Sequence, residues 1–216
     1  MRIVRVSGLP DAAVLAQAAQ CVAAGGTLIF PTDTVYGIGC APDDEAAVES
    51  IFRAKARPSN KPLAIHLRSS GEATAYAARL SPAALTLMAR FWPGPLTLVV
   101  QRRPDRGAAA ARGGSTIALR CPDAPVCGAL LHATGPLAAT SANRSGAPAF
   151  TGAETDLDAL PDATLAIIAG PTKERRESTV LDCSTDIVRI LRSGALDVAA
   201  IADALAGVAA FERSPR

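Results

Sequence analysis

A helical pattern that leads, within a few residues, into a short apolar run limits the folds that this chain can adopt. Its apolar face is formed by Ala47, Val48, Ile51 and Phe52. Asp43 or Asp44 can cap its start, and Pro58 should end it near Ala56, because a proline disfavours the helical conformation at the preceding residue. Residues 63–67 then predict a buried strand. A helix followed at once by a strand is typical of an α/β domain.

The length and composition fit one such domain. The chain has 216 residues, of which 49% are hydrophobic and only 4% aromatic, so its core should consist of Val, Leu, Ile and Ala. We expect a single domain over residues 1–216, with its core at about residues 10–205. Its sheet should be twisted, with both parallel and antiparallel strands and with helices packed against it.

Further helical and strand patterns occur along the whole chain. The other predicted strands are residues 3–6, 27–30, 96–101, 116–119, 137–140, 165–168, 178–183 and 187–191. The other predicted helices are residues 11–24, 72–79, 82–91, 125–133, 152–160 and 197–205. We expect residues 102–114 to form a mobile basic loop, residues 173–177 a solvated charged loop, and residues 212–216 a frayed tail.

The composition also excludes several classes of protein. No apolar run is long enough to cross a bilayer, and the N-terminal segment resembles an amphipathic helix more than a signal peptide. The five cysteines include no C-x-x-C pair, and their odd number fits reduced thiols in a cytoplasmic protein. Only two histidines occur, and they form no cluster with cysteine, so we expect no dedicated metal site.

Charge is unevenly distributed although the net charge is only +2. Residues 50–122 contain twelve Lys or Arg and two acids, whereas residues 1–49 and residues 123–216 each carry a net charge of −4. The middle third therefore predicts a basic surface, which favours a phosphate-bearing ligand or a nucleic acid.

Several of these cations follow the predicted helix directly. Lys55, Arg57 and Lys61 lie at the junction between the helix and the next strand, and the first two should be free to turn toward a ligand. This arrangement suits a polyanion such as a nucleoside triphosphate. The alternative is that the cations only complement the dipole at the helix C-terminus.

Two clusters of hydroxyl and amide groups follow predicted strands. Residues 31–39, PTDTVYGIG, come after the strand at 27–30, and residues 141–146, SANRSG, come after the strand at 137–140. Ligands of α/β sheets bind where strands end, and neutral donors there can hold a carboxylate or a phosphate. The alternative is two ordinary turns whose polar side chains bond locally.

The motifs together resemble one family. PTDTVYGIG, Lys55-x-Arg57 with NKPLAIH, FWPGPLTLV, TIALR, ATSAN followed by SG, STVLD and ILRSG occur in the order seen in the YrdC/TsaC proteins, which are threonylcarbamoyl-AMP synthases. The resemblance covers about residues 10–200 and is to the short, single-domain form of the family. It implies a YrdC-like fold and a reaction in which L-threonine, bicarbonate and ATP give threonylcarbamoyl-AMP and pyrophosphate.

The resemblance also implies roles for individual residues. The residues implied to bind ATP are Lys55, Arg57, Lys61, Thr116, Ser141, Asn143 and Arg192. Those implied to bind threonine are Thr34, His66, Arg120, Thr140 and Ser178, with Arg120 holding the carboxylate through two parallel hydrogen bonds. Catalysis would rest on positioning and charge neutralisation by Lys55, Arg57, Ser141 and Asn143, without a covalent nucleophile. Mg²⁺ would be held mainly by the phosphates.

The implied partners are a transferase complex that modifies tRNA and, through it or directly, tRNA. A second hypothesis is a non-catalytic module that binds double-stranded RNA or tRNA through the basic residues of the segment 50–122. The neutral hydroxyl clusters favour the enzyme, because binding to an RNA backbone does not require them.

Overall fold

The computed structural model describes residues 1–212, which form a twelve-stranded sheet with five α-helices. The strands are β1 (Arg2–Arg5), β2 (Leu28–Phe30), β3 (Gly37–Cys40), β4 (Ala64–His66), β5 (Ala77–Arg79), β6 (Leu96–Arg102), β7 (Thr116–Arg120), β8 (Leu137–Ser141), β9 (Leu165–Ile168), β10 (Thr179–Asp182), β11 (Ile187–Arg192) and β12 (Ala210–Glu212). The helices are α1 (Ala12–Ala23), α2 (Glu45–Lys55), α3 (Pro82–Phe91), α4 (Pro125–Thr134) and α5 (Val198–Leu205).

The strand order is β1-β9-β2-β3-β8-β4-β7-β6-β10-β11-β12, and β5 pairs with β6 outside this path. Parallel pairs join β1 to β9, β2 to β9, β4 to β7, β6 to β10 and β11 to β12, and the remaining pairs are antiparallel. The expectation of a single α/β domain with a mixed sheet and packed helices is therefore confirmed.

Helices cover both faces of the sheet. Alternate side chains of β2 lie on opposite faces of the sheet. Leu28 and Phe30 pack in a core with α1 and α4, whereas Ile29 packs in the core that includes α2, α3 and α5. Few aromatic rings contribute, and the buried side chains are mostly aliphatic, as the composition predicts. None of the helices within residues 1–212 combines the length and the hydrophobicity that a membrane span requires.

Helix α2 follows its sequence signals closely. The Asp44 carboxylate accepts a hydrogen bond from the amide of Ala47, so Asp44 and not Asp43 is the N-cap. The helix ends at Ala56, whose backbone is left-handed (φ 49°), one residue before the position that Pro58 restricts. The chain then runs through a turn into β4, as expected.

Several predicted elements differ from those in the structure. Residues 72–79 form no α-helix, because a 3₁₀ turn at Ser70–Ala75 leads into β5, which pairs with β6. The predicted helix at 152–160 is a 3₁₀ helix, Glu154–Ala159. Glu212, predicted to begin a frayed tail, lies in β12, and residues 213–216 lie outside the described residues.

The basic loop at 102–114 packs against the protein at Gly107, Ala110 and Ala111, while most of its other residues are exposed. Arg102 donates hydrogen bonds to four carbonyl oxygens of the loop, including that of Gly114 at 2.8 Å. Ala110 is fully buried and accepts a hydrogen bond from the amide of Leu63. These hydrogen bonds tie the loop to the rest of the fold, and its mobility stays a prediction.

Candidate active site

Two cavities lie side by side on the protein. The small cavity has a volume of about 260 Å³ and the large cavity about 890 Å³. The residues that line both are Val35, Arg57, Ser141, Glu177 and Arg192. The two cavities therefore adjoin, and a molecule in one can reach a molecule in the other across this junction.

The small cavity opens on a face of the sheet and is not confined to strand ends. Its floor includes Ala64, Ala118 and Ala139, which are neighbours on the adjacent strands β4, β7 and β8. Because these side chains end at a methyl group, they leave room above the sheet. Neutral ligand-binding groups were expected at strand ends, whereas the space above the sheet comes from three alanines to which the motifs gave no role.

All five residues that the resemblance implies for threonine line this small cavity. They are Thr34, His66, Arg120, Thr140 and Ser178. The parallel pairing of β4 with β7 places His66 directly opposite Arg120 in the register. Residues widely separated in sequence thus converge because they lie on neighbouring strands or on loops at their ends.

Arg120 lies at the centre of a buried network. Its Nη2 donates to Asp33 Oδ1 at 2.6 Å, its Nη1 to Thr34 Oγ1 at 2.7 Å and its Nε to the Gly94 carbonyl oxygen at 3.2 Å. The side chains of Arg120 and Asp33 are 5% and 2% exposed. The sequence suggested a guanidinium free to bind a carboxylate, but three of its N–H groups are bound within the protein. One N–H on each terminal nitrogen remains for a ligand.

His66 is a neutral group in this cavity. Burial, and next the charge of Arg120, lower the pKa of His66 to about 3. Its ring packs edge-on against Phe30, with ring centroids 5.9 Å apart. At neutral pH the imidazole can therefore donate or accept a hydrogen bond without adding charge.

The chain segments around Ser178 and Arg192 are joined by a dense set of contacts. Arg192 donates from Nε to the Ser178 carbonyl oxygen at 3.1 Å, from Nη2 to Ser178 Oγ at 3.1 Å and from Nη1 to Glu177 Oε2 at 2.9 Å. Ser178 Oγ also lies 2.8 Å from Thr97 Oγ1. These contacts place Arg192 and Glu177 at the junction of the two cavities.

Lys55 differs from its predicted role. It lines the large cavity but is only 2% exposed, and its ammonium donates to the carbonyl oxygens of Ser141 and Asn143 and to Asn143 Oδ1. Burial lowers the pKa of Lys55 to about 8. Lys55 is thus not free to turn toward a ligand, and it ties the end of α2 to the loop after β8.

Ser141 and Asn143 also use most of their hydrogen-bonding groups within the protein. Ser141 Oγ donates to Asn143 Oδ1 at 2.6 Å, and Asn143 Nδ2 donates to the carbonyl oxygens of Arg144 and Ala147 at 3.0 and 2.7 Å. The amide of Asn143 therefore shapes the loop and does not offer free donors, which changes the role expected from the sequence. Ser141 still lines both cavities.

Arg57 and Lys61, which the resemblance implies to bind ATP, both reach the large cavity. Arg57 lines both cavities, and burial followed by the nearby charge of Arg192 lowers the pKa of Arg57. Its Nε and Nη2 donate to the carbonyl oxygens of Lys61 and Pro62 at 2.8 and 2.9 Å. Two guanidinium groups of like charge at one junction favour an anion between them.

Thr116 is the one implied nucleotide-binding residue that lines neither cavity. Thr116 is the first residue of β7 and pairs with Gln101, whereas Arg120 is the last residue of the same strand. Ala118 and Arg120, on the same strand, do line the small cavity. The expectation that Thr116 touches the nucleotide is not supported by its position.

Four charged residues of the site were not expected from the sequence, and one of them, Asp156, lines the large cavity from the 3₁₀ helix Glu154–Ala159. Glu177, Arg175 and Arg176 line the large cavity, although the segment 173–177 was expected to be solvated. Nothing in their local pattern distinguishes them from an exposed loop. The signal that could have located Glu177 is its position immediately before the STVLD motif.

Half of the cations of the basic segment 50–122 are paired with acids. Six of its twelve cations form ion pairs, and four of their partners lie outside the segment. The pairs are Arg68–Glu72, Arg90–Asp203, Arg103–Asp105, Arg106–Asp43, Arg112–Glu49 and Arg120–Asp33. The neighbouring acids therefore offset half of the positive charges that the sequence places in this segment.

Comparison with known proteins places the fold in a family. The family model for Sua5, YciO and YrdC, described as "Telomere recombination", matches residues 20–194. The chain belongs to the Sua5/YciO/YrdC family. The resemblance noted in the sequence is thus confirmed over most of the chain.

Relatives within the Sua5/YciO/YrdC family include proteins named as synthases. The chain is 40% identical over 185 residues to the threonylcarbamoyl-AMP synthase of Bacillus subtilis, a match that covers 84% of this chain and 54% of that protein. It is 36% identical over 199 residues to the putative threonylcarbamoyl-AMP synthase of Mycobacterium leprae, covering 91% of this chain and 90% of that protein. The chain thus spans about half the length of the first relative and most of the second.

Solved structures of the Sua5/YciO/YrdC family share the fold. Pyrococcus abyssi Sua5 in complex with L-threonine has a TM-score of 0.89 and 33% identity, and the match covers 98% of this chain and 63% of that one. Escherichia coli YciO has a TM-score of 0.78 and 27% identity, with 91% and 96% covered. One family member of the same architecture therefore binds L-threonine.

Proposed function

We propose that this protein is a threonylcarbamoyl-AMP synthase, which converts L-threonine, bicarbonate and ATP to threonylcarbamoyl-AMP and pyrophosphate. The observation that carries the proposal is the pair of adjoining cavities, one small with a buried arginine and neutral polar groups, the other large and cationic. The names of the relatives and the L-threonine complex of Pyrococcus abyssi Sua5 support it.

We propose that L-threonine binds in the small cavity. The two remaining N–H groups of Arg120 suit a carboxylate, while Thr34 and neutral His66 can hydrogen-bond the substrate hydroxyl. Thr140 and Ser178 add further hydroxyl groups to the lining. A volume of about 260 Å³ suits an amino acid better than a nucleotide.

ATP would occupy the large cavity. Its lining carries Arg57, Lys61, Arg175, Arg176 and Arg192, whose charges can offset those of a triphosphate. Residues 1–212 contain no group of three or more His, Cys, Asp or Glu side chains that could chelate a metal. Mg²⁺ would therefore be held mainly by the phosphates, whose negative charge it would partly neutralise.

The bond between the two substrates would form at the junction. The threonine amine and bicarbonate give a carbamate and water, and a carbamate oxygen then attacks the α-phosphate of ATP while pyrophosphate leaves. Arg57 and Arg192 line the junction and can stabilise the negative charge of the carbamate and of the phosphate. Such a reaction requires alignment more than a protein nucleophile.

The product is a reactive mixed anhydride, which a second enzyme must consume. We propose that this enzyme is a transferase that modifies tRNA with a threonylcarbamoyl group, in keeping with the named activity of the relatives.

The five cysteines are all free thiols, which fits a reducing compartment such as the cytoplasm.

The test of the proposed function is pyrophosphate release from ATP. We expect release only when L-threonine and bicarbonate are both present, and we expect mass spectrometry to identify threonylcarbamoyl-AMP. Release that is independent of threonine, or the absence of release with all three substrates and Mg²⁺, would overturn the proposal.

A further inference from the structure

Free threonine carries an ammonium group as well as a carboxylate, and a site that selects an amino acid needs an acceptor for it. Most polar groups that line the small cavity are hydroxyls or cations. Among the described residues that line this cavity, Glu177 is the only one with a carboxylate. Glu177 is therefore the one formal negative charge available to an ammonium ion in that lining.

The surroundings of Glu177 place its carboxylate where the amine must react. Glu177 lines both cavities, at the junction where the threonine nitrogen has to meet bicarbonate and the nucleotide. Its Oε2 is bound to Arg192 at 2.9 Å, whereas its Oε1 has no hydrogen-bond partner among residues 1–212. The side chain is 39% exposed, so it faces the opening and is not sealed in the core.

The backbone fixes this position. The Glu177 carbonyl oxygen accepts a hydrogen bond from the amide of Ala195 at 2.8 Å, and Gly194 packs directly against the chain at Ser178 and Thr179. The segment that carries Glu177 is thus held by the turn after β11. A fixed carboxylate can orient a substrate group, which a residue on a loosely held loop does less well.

We propose that Glu177 binds the α-ammonium group of the amino acid substrate and orients its nitrogen toward the junction. This inference rests on the proposed function, since it assumes that threonine occupies the small cavity. Arg120 and Glu177 then hold opposite charges of the zwitterion, which selects α-amino acids over hydroxy acids of the same shape. The competing explanation is that Glu177 acts only by orienting Arg192.

The test compares two ligands that differ in the amine alone. Calorimetric titration measures the Kd of L-threonine, (R)-3-hydroxybutyrate and ATP for wild type, Glu177→Gln and Glu174→Gln. Glu174 is the matched control, because it lies on the same loop, pairs with Lys173 at 3.8 Å and lines neither cavity. We expect Glu177→Gln to weaken threonine binding about tenfold or more, since a charge-assisted hydrogen bond is lost.

In the same variant the affinities for (R)-3-hydroxybutyrate and ATP should stay within about twofold of wild type, and Glu174→Gln should match wild type throughout. Equal weakening for threonine and (R)-3-hydroxybutyrate, or unchanged threonine affinity, would overturn the proposal. Weakened ATP binding of similar size would show that Glu177 acts through Arg192 and would also overturn it. Failure of the proposed function is distinct, because wild type itself would then release no threonine-dependent pyrophosphate.

Discussion

At the scale of the residue, Lys55 and Arg57 lie two positions apart but have different partners in the fold. Lys55 and Arg57 were both expected to hold phosphate, but only Arg57 lines the junction of the two cavities. Lys55 instead bonds to Ser141 and Asn143, and these contacts depend on a pairing of distant segments. A motif gives residue types and spacing, whereas the partner of each donor depends on the assembled fold.

The two cations should respond differently to truncation. Lys55→Ala leaves the part-buried carbonyl oxygen of Asn143 without its ammonium donor, at a cost of about 1–3 kcal/mol, so it should lower the free energy of unfolding in urea. Arg57→Ala removes a charge-assisted contact of roughly 1.5–3 kcal/mol and should weaken ATP binding about tenfold or more with little change in stability. Arg53→Ala, on the exposed face of α2, is the control for both. A Lys55→Ala variant that keeps wild-type stability and only loses ATP affinity would contradict this assignment.

The neutral, buried His66 should make the free energy of unfolding decrease at low pH. Its pKa of about 3 in the folded protein lies below the ordinary value of 6.5, so only the unfolded chain takes up the proton between these values. This contribution to stability is complete above pH 6.5 and is lost as pH falls toward 3, with a slope of at most about 1.4 kcal/mol per pH unit.

Urea denaturation of wild type and His66→Asn from neutral pH to about pH 4 measures this effect. The variant should lose stability less steeply than wild type, because it lacks the imidazole that takes up a proton on unfolding. Parallel curves for wild type and His66→Asn would contradict a neutral buried imidazole.

At the scale of the element, strong local signals predicted helices and strands well. Helix α1 begins after Asp11, whose carboxylate accepts from the amide of Val14 as the capping pattern predicts. The prediction of a helix at residues 72–79 was wrong because the alanines there favour a helix locally. The strand β5 forms only through pairing with β6, which is distant in sequence. The cavity floor could not be predicted either, because alanines at 64, 118 and 139 become neighbours only through strand register.

The turn after β11 gives a prediction for one glycine. A Cβ atom at Gly194 would lie 2.2 Å from the Ser178 carbonyl carbon and 2.3 Å from the Thr179 amide nitrogen, so the two segments would have to separate. Gly194→Ala should therefore lower the melting temperature and weaken both threonine and ATP binding, because Ser178 and Arg192 would shift. Gly128→Ala is the control, since its Cβ meets no atom within 4 Å on α4, and alanine should stabilise that helix by roughly 0.5–1 kcal/mol. Wild-type melting and binding in Gly194→Ala would contradict this tight packing.

At the scale of the whole molecule, the sequence predicted the fold class and the basic middle segment but not how that segment is neutralised. The ion pairs of Arg106 with Asp43 and of Arg112 with Glu49 join the basic segment to the acidic N-terminal third. Arg112 also stacks over the ring of Phe52, with its guanidinium carbon 4.7 Å from the ring centroid. A linear count of charge cannot anticipate such pairs, because they form between segments that fold against each other.

This neutralisation leads to a prediction about RNA. A protein that binds duplex RNA through phosphates needs unpaired cations along its surface, and each contact adds about one unit to the salt dependence of binding. Because half of the cations of the segment 50–122 are already paired with acids, we expect only weak, non-specific binding, with a Kd of about 10⁻⁴–10⁻⁶ M near 0.15 M salt.

Fluorescence anisotropy of a labelled duplex of about 20 base pairs over a salt series measures this affinity, since a duplex of that length spans a shape-selective RNA site. Arg112→Ala removes a paired cation and should leave the salt slope unchanged. Nanomolar binding that Arg112→Ala weakens, together with inhibition of pyrophosphate release by the duplex, would instead favour the binding module over an enzyme that acts on small molecules alone.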